Sequence, residues 1–334
     1  ALVLIFFFFL TTASAEILSA DPSVGEYEVG KRLQYLEDVN SKLAVSDVIA
    51  PYWQSKFRPH RRDVANFGFT QSSYWFKLSL SNPTNLEKAW ILEARYPMLD
   101  RLDVYLVRDG KVLGHRLSGD SLPFAQREFK HRNLGFTLAL APQDQLDVYL
   151  RVKTESSLQL PLHLLTPERF LERDQSEQYL FGLYYGILLA MLLYNLLVYR
   201  ALRDVNYLHY VHYLLGYALF QLSLNGLALQ YLWPKYPVWG NLATPLFIGV
   251  AFLGAVNFAR SFLHLKSQAP LLDRIGTGLW LFFLLVILGS FVMPYMLMIQ
   301  IATTGALATA IYEFACGLVV WRGQLRQARY FLLA

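Results

Sequence analysis

The chain has 334 residues, 54% of them hydrophobic and only 16% charged, with a formal net charge of +5. These figures exclude a disordered chain and suit one that is half soluble and half membrane-embedded. The charge is uneven: residues 179–334 carry nine Lys and Arg against three Asp and Glu. The excess therefore belongs to the apolar half, where membrane loops explain it better than nucleic acid does. Cys316 is the one cysteine, so no disulfide can close within the chain.

In chain order, residues 1–10 are nearly all apolar and lead to Ala13-Ser14-Ala15. This is the apolar core and small-residue cleavage site of a secretory signal without its basic leader, which assigns residues 1–15 to a signal-peptide remnant. A short retained anchor is the alternative reading. In residues 16–60, Tyr35-Leu36-Glu37-Asp38 and Leu43-Ala44-Val45 are expected as short extended pieces. From Tyr74 the pattern sharpens. Phe76, Leu78 and Leu80 alternate with Lys77, Ser79 and Ser81 until Asn82-Pro83 breaks the run. Residues 90–94, Leu102/Val104/Leu106, Leu134/Phe136/Leu138/Leu140 and Val148/Leu150/Val152 give further strands, with a hairpin turn at Asp109-Gly110. Several short alternating strands separated by turns predict an antiparallel β-sandwich over residues 16–166.

The polar positions of these strands carry aromatics beside charges. Trp75 shares a face with Lys77, Tyr105 with Asp103, and Tyr149 with Arg151 and Lys153; Arg95 and Asp100 flank the Tyr96-Pro97 turn. A flat ring covers the apolar face of a pyranose while charged groups bond its hydroxyls. Trp75, Lys77, Arg95, Asp100, Tyr105, Tyr149 and Arg151 are therefore candidate contacts for a carbohydrate-like small ligand. Alternation leaves open whether the other sheet or an N-terminal segment covers that face. Trp53 and Trp90 are read as core, and His60, His115, His131 and His163 as scattered surface residues. No metal spacing, nucleophile elbow or phosphate loop occurs, so no catalytic residue, metal or cofactor is assigned.

Residues 167–178 form a polar, helix-compatible linker that could transmit force or serve only as a spacer. The transmembrane bundle is assigned to residues 179–334. Its first apolar segment, 178–199, holds no charged residue, and about 33 Å of helix crosses a hydrocarbon core of about 30 Å. Further segments are expected at about 205–233, 239–263, 275–292 and 296–321, and residues 330–334 resemble the start of a sixth. Loops after the first, third and fifth segments hold Arg200, Arg203, Arg260, Lys266, Arg274, Arg322, Arg326 and Arg329; those after the second and fourth hold only Lys235. This asymmetry places the first set in the cytoplasm and residues 16–177 outside. Glu313 is the one acid well inside a span. It costs about 3 kcal/mol there if charged and is expected to face the bundle interior toward His209, His212 or Arg260, or to lie protonated or snorkelling. Asn195, Asn225 and Asn257 are expected to bond between helices.

Several stretches taken together resemble a known family. Gly182-Leu-Tyr-Tyr-Gly-Ile-Leu-Leu-Ala190, Leu193-Tyr-Asn195, Leu224-Asn-Gly226, Gln230-Tyr-Leu-Trp233 and Phe258-Ala-Arg-Ser-Phe262 are similar to the bacterial seven-transmembrane receptors with diverse intracellular signalling modules. Tyr74-Trp-Phe76, Asn82-Pro-Thr84, Tyr96-Pro97 with Asp100, and Ser156-Ser-Leu-Gln-Leu-Pro161 resemble that family's type-2 extracellular domain. The resemblance implies a jelly-roll sandwich like carbohydrate-binding modules, a seven-helix bundle, and a cytoplasmic output such as a diguanylate cyclase or histidine kinase. No catalytic set is found in these 334 residues. The expected function is that of a multi-pass transmembrane signalling receptor in a bacterial inner membrane with a periplasmic sensor, non-enzymatic within these residues, the diguanylate cyclase or histidine kinase output being expected elsewhere in the full-length protein. The expected partners are a carbohydrate-like ligand, the lipid bilayer and a second copy of the chain, without nucleic acid. The alternative is a periplasmic protein-binding or dimerisation module controlling the same output. Transport is disfavoured, because no internal repeat or matched pair of broken helices is visible.

Overall fold

The computed structural model describes residues 17–322 together with 328, 331 and 332. The expected signal remnant, Arg326, Arg329 and most of the expected sixth span lie outside the described residues.

The outer domain begins with strands β1 (Leu18–Ser19), β2 (Glu26–Glu28) and β3 (Gln34–Asp38) and the short helices α1 (Val45–Ile49) and α2 (Pro51–Gln54). Then come β4 (Arg58–Pro59), β5 (Ala65–Gly68), β6 (Ser73–Ser81), β7 (Lys88–Ala94), β8 (Arg101–Arg108), β9 (Lys111–Ser118), β10 (Leu134–Leu140), β11 (Gln145–Lys153), β12 (Leu158–Leu160) and β13 (Leu162–Leu165). One sheet runs β4-β3-β6-β11-β8-β9; the other runs β10-β7-β13-β2. All pairings are antiparallel except β1, which lies parallel on the end of β6. Between the sheets lies one apolar core. Phe76, Leu78, Leu80, Val104, Val148 and Leu150 meet Trp90, Leu92, Phe136 and Leu138 there, as the alternation predicts. Trp90 is fully buried in that core.

The helices α1 and α2 are a departure from the predicted extended piece at Leu43-Ala44-Val45. The Asp47 carboxylate accepts from the Ala44 backbone N–H at 2.8 Å, and Pro51 stands at the first position of α2. Both are helix-start signals, confined to segments too short for a visible period.

The membrane part consists of α3 (Pro167–Leu202), α4 (Val205–Leu224), α5 (Leu227–Tyr231), α6 (Pro237–Phe262), α7 (Leu265–Gln268), α8 (Pro270–Gly289) and α9 (Tyr295–Arg322). Among the described residues four helices are long and apolar enough to cross a membrane: α3, α6, α8 and α9 through Trp321. The expected segment 205–233 is divided. Helix α4 is capped by Asn225, Gly226 takes φ +74°, and the short α5 follows. With its Tyr, His, Asn and Gln content α4 is not among these four, yet it packs against both α3 and α6. It returns to the outer domain, where Gly226 abuts Pro97. The α4–α6 seam is built on two glycines. A Cβ on Gly216 would stand 2.5 Å from the Ala251 nitrogen, and one on Gly254 2.5 Å from the Tyr213 nitrogen. Small residues let the two backbones touch, which is how helices associate where lipid removes the hydrophobic drive.

Candidate functional site

Strand register sets the outer face of the larger sheet. Arg151 on β11 lies opposite Trp75 of β6 and Asp103 of β8; Tyr149 lies opposite Lys77 and Tyr105. Five of the seven predicted ligand contacts thus form two cross-strand rows. Arg151 stands over the Trp75 ring at 5.8 Å and donates to the Ser41 carbonyl at 2.8 Å. Lys77 pairs with Asp147 at 3.1 Å and donates to the Gln54 amide oxygen at 3.1 Å. Tyr105 stacks on His115 at 4.4 Å, so His115 belongs to this face rather than standing alone. Burial pushes the Asp103 carboxyl up, but hydrogen bonds from Arg101 and His115 outweigh it and hold the group below its usual range.

An open solvent face is not what these rows present. Trp75 is 0% and Tyr149 2% exposed. The segment carrying α1 and α2 lies across them, with Val48, Ile49, Trp53 and Phe57 packed on Leu36, Trp75, Tyr105 and Tyr149. Trp53 thus packs in this covering cluster, half-buried. The reason is apolar area: leaving Trp75, Leu36 and Val107 wet would expose one contiguous patch, and the covering segment removes it. Under the cover, Trp75 Nε1 and Arg151 Nε are buried without a hydrogen-bond partner among the described residues. Buried donors of this kind are rare.

Arg95 and Asp100 lie elsewhere, at the end of the sandwich that meets the bundle. Here α3 is fastened into the outer domain. Thr166 caps it by accepting from the Arg169 N–H at 3.3 Å, and Pro167 takes the first position. Phe170 packs with Ile91, Leu165 and Phe129. Glu177 accepts from both Arg95 and Arg132. Asp174 meets His131 at 3.0 Å, and Glu26 gathers Arg173, Arg169 and His163. His131 and His163 are therefore buried members of this network, not surface residues as the sequence suggested. Burial pushes the imidazole of His131 and the guanidinium of Arg132 below their usual values. The remaining contacts come from the helix ends. Asp100 accepts from Asn241 of α6 at 3.0 Å and from Thr154 at 3.0 Å, and the Phe124 N–H donates to the Pro234 carbonyl at 3.0 Å. Beside Asp100, burial raises the Asp120 carboxyl well above its usual value, and the Asp100 charge adds to the effect.

The sequence missed Glu177, Arg132, Asp174 and Asp120. The signal for the first and third was present: a dense polar run immediately before a charge-free apolar run places charges at the mouth of a span. For Arg132 and Asp120 there was none.

Within the bundle the expected partners separate. Arg260 pairs with Asp273 at 2.9 Å. Glu313 Oε1 is buried with no hydrogen-bond partner among the described residues. No hydrogen bond or ion pair joins Glu313 to His209, His212 or Arg260 among the described residues. Asn195 donates back to the Met191 carbonyl of its own helix at 2.8 Å, since a short amide side chain reaches its preceding turn more easily than the next helix. Asn225 does bond across helices, to Tyr185 of α3 at 3.0 Å.

A β-sandwich whose last strand runs into the first of several apolar helices defines a membrane protein with a large outer domain. Residues 30–166 match the family profile described as 7TMR-DISM extracellular 2, and residues 177–334 match that of the 7TM diverse intracellular signalling region. The chain belongs to this family of seven-transmembrane receptors. A search of curated proteins found no match.

Proposed function

We propose that the chain is the sensory and membrane-relay part of a bacterial inner-membrane receptor. A carbohydrate-like ligand would bind its periplasmic sandwich, and the helix bundle would pass the change to a cytoplasmic output module of the diguanylate cyclase or histidine kinase kind. The observation that carries the relay is α3: one unbroken helix of 36 residues whose first turns are tied into the sandwich through Glu177, Asp174 and Phe170, and whose remainder is a membrane span. A displacement at its head cannot be absorbed by a flexible linker. A ligand shifts such an element only if it binds one arrangement better than the other.

The ligand is proposed to enter beneath the covering segment 43–57, against Trp75 and Tyr149. The unpartnered Trp75 Nε1 and Arg151 Nε would bond its hydroxyls. From that face β8 runs back from Tyr105 to Asp100, and β11 runs on from Arg151 to Thr154. At about 3.3 Å per residue these paths to the joint are roughly 17 Å and 10 Å. The test is a glycan array probed with the full chain in nanodiscs, followed by hydrogen exchange with any glycan that binds. Binding lost in Tyr105→Ala and Arg151→Ala, with altered protection in both 43–57 and 167–202, supports the reading. No glycan retained above bare nanodiscs sinks the carbohydrate ligand, and altered protection confined to the sandwich sinks the relay.

A second reading, docking of a protein or of a second copy, is favoured by one feature. The edge strand β9 leaves Val112 and Leu113 exposed beside an unpaired backbone edge. Sedimentation of the full chain in detergent with and without Leu113→Lys separates it from the first.

A further inference from the structure

Where the sandwich meets α3 and α4 there is an open cleft of about 550 Å³, lined by Arg95, Arg132, Glu177, Phe181, Tyr184 and Tyr217. Its size falls within the range of about 300–1,000 Å³ usual for small-molecule sites and far exceeds what an inorganic anion fills. The upper wall is cationic. Arg95 and Arg132 converge there and are both held by Glu177. The lower wall is aromatic and is formed by the first turns of the charge-free run of α3, with Arg132 lying over the Phe181 ring at 4.7 Å. The cleft therefore sits at the level where a bilayer changes from headgroup to acyl chain.

Three donors in this wall are unsatisfied. Arg95 Nε, Arg132 Nε and Tyr184 Oη are buried without a hydrogen-bond partner among the described residues, and the nearest acceptor recorded for Arg95 Nε, a Glu93 oxygen, is 3.8 Å away. Glu177 thus serves Arg95 and Arg132 and also faces Arg173 at 3.7 Å, and with Glu93 only within 3.8 Å of Arg95, guanidinium donors remain in surplus. An anion with more oxygens would satisfy them better.

We propose that this cleft binds an anionic amphiphile, a carboxylate or phosphate head on an acyl-sized apolar body, whose head competes with Glu177 for Arg95 and Arg132. The apolar body lies along Phe181 and Tyr184. Displaced, Glu177 no longer ties α3 to β7 and the β10 approach, so occupancy loosens the head of the first span. This deepens the relay reading of the joint and rests on it, but the binding is measurable without it. The head can come from a soluble acid or from a membrane phospholipid.

Calorimetry on the whole chain in phosphatidylcholine nanodiscs tests this, with decanoate and decyl phosphate as probes and decyl maltoside and inorganic phosphate as controls. The expected result is saturable binding of both anionic probes and of neither control. Arg95→Gln and Arg132→Gln each weaken it about tenfold, the worth of one charge-assisted hydrogen bond, and Glu177→Gln tightens it by a similar factor. A role for Glu177 that is only structural predicts no tightening. Repetition in discs containing phosphatidylglycerol identifies the source. Weakened probe binding there marks the lipid headgroup as occupant, and unchanged binding marks a soluble amphiphile; either supports the site. No saturable binding, equal binding of decyl maltoside, or affinity indifferent to both arginine variants overturns it. If an arginine variant fails to fold, Tyr184→Phe, which removes one donor and no charge, is expected to weaken binding severalfold, and unchanged affinity there also counts against the site. Anionic binding without altered exchange in 167–202 leaves the cleft standing and removes the relay.

Discussion

At the joint, single side chains carry more than their burial suggests. Glu177 is 18% exposed at its side chain and bridges two arginines, so its loss takes the one ion-pair partner recorded for Arg132 among the described residues and leaves Arg95 only Glu93 at 3.8 Å. Glu177→Gln is expected to cost about 1–3 kcal/mol, less than for a fully buried pair because water still screens it, read as a lower melting temperature of the purified chain. Asp120 behaves differently. Its carboxyl titrates above its usual value of 3.8, because burial and the neighbouring Asp100 oppose the charge while Arg127 only partly favours it. A group raised in the folded state stabilises fully below its unfolded value, and that contribution is lost as pH rises through the folded one. Asp120→Asn is therefore expected to melt higher than the parent near neutral pH, with the difference shrinking toward acid. His131 runs the other way, since burial lowers it and its contribution is lost as pH falls, so the parent-minus-variant difference is the quantity to plot. A difference that does not change with pH would remove Asp120 as the titrating group. The burial of Asp120 and His131 was not legible beforehand, because an Asp or His buried between two domains leaves no periodic trace.

Helix continuity is the property that matters at the level of elements. The polar run 167–178 and the apolar run after it form one helix, and its polar half is held to the sandwich by the ion-pair network and by Phe170. Ser176→Pro removes a backbone bond and clashes with the preceding turn, at about 3 kcal/mol locally. Limited proteolysis is expected to open a new cut within 173–180 while the sandwich stays resistant; an unchanged digestion pattern would mean the helix is not held there. The α4–α6 seam is the second such element. Gly254→Leu forces a side chain into the Tyr213 backbone and is expected to cost about 1–3 kcal/mol or more, seen as loss of a monodisperse detergent peak. Hydrophobic spacing announced both helices. It did not announce their contact, because a glycine in a span reads the same whether it faces lipid or a neighbouring backbone.

For the whole molecule, two layers of cover decide what a ligand can reach. The segment 43–57 closes the outer sheet face, and the bundle ends close the bottom of the sandwich around Asp100. Phe57→Ala is expected to loosen the first cover at about 3 kcal/mol, the low end for such truncations, and to red-shift tryptophan emission as Trp75 and Trp53 gain water. Unshifted emission would show that the cover holds without Phe57. By itself the sequence determined the two-part architecture, the strands with their inward and outward faces, and the orientation of the spans. Period-two alternation, charge-free length and loop arginines are local quantities that survive without any tertiary contact. It also paired Trp75 with Lys77, Tyr105 with Asp103, and Tyr149 with Arg151 on one face of each strand, because period-two alternation is a local matter, while the register that joins the three strands came from the sheet. Only the tertiary structure decided that this face is covered, that Arg95 and Asp100 belong to the membrane joint, and that Glu177, Arg132 and His131 meet. Those outcomes depend on which distant segment removes the most apolar area and which charges then face each other, and no spacing along the chain encodes either.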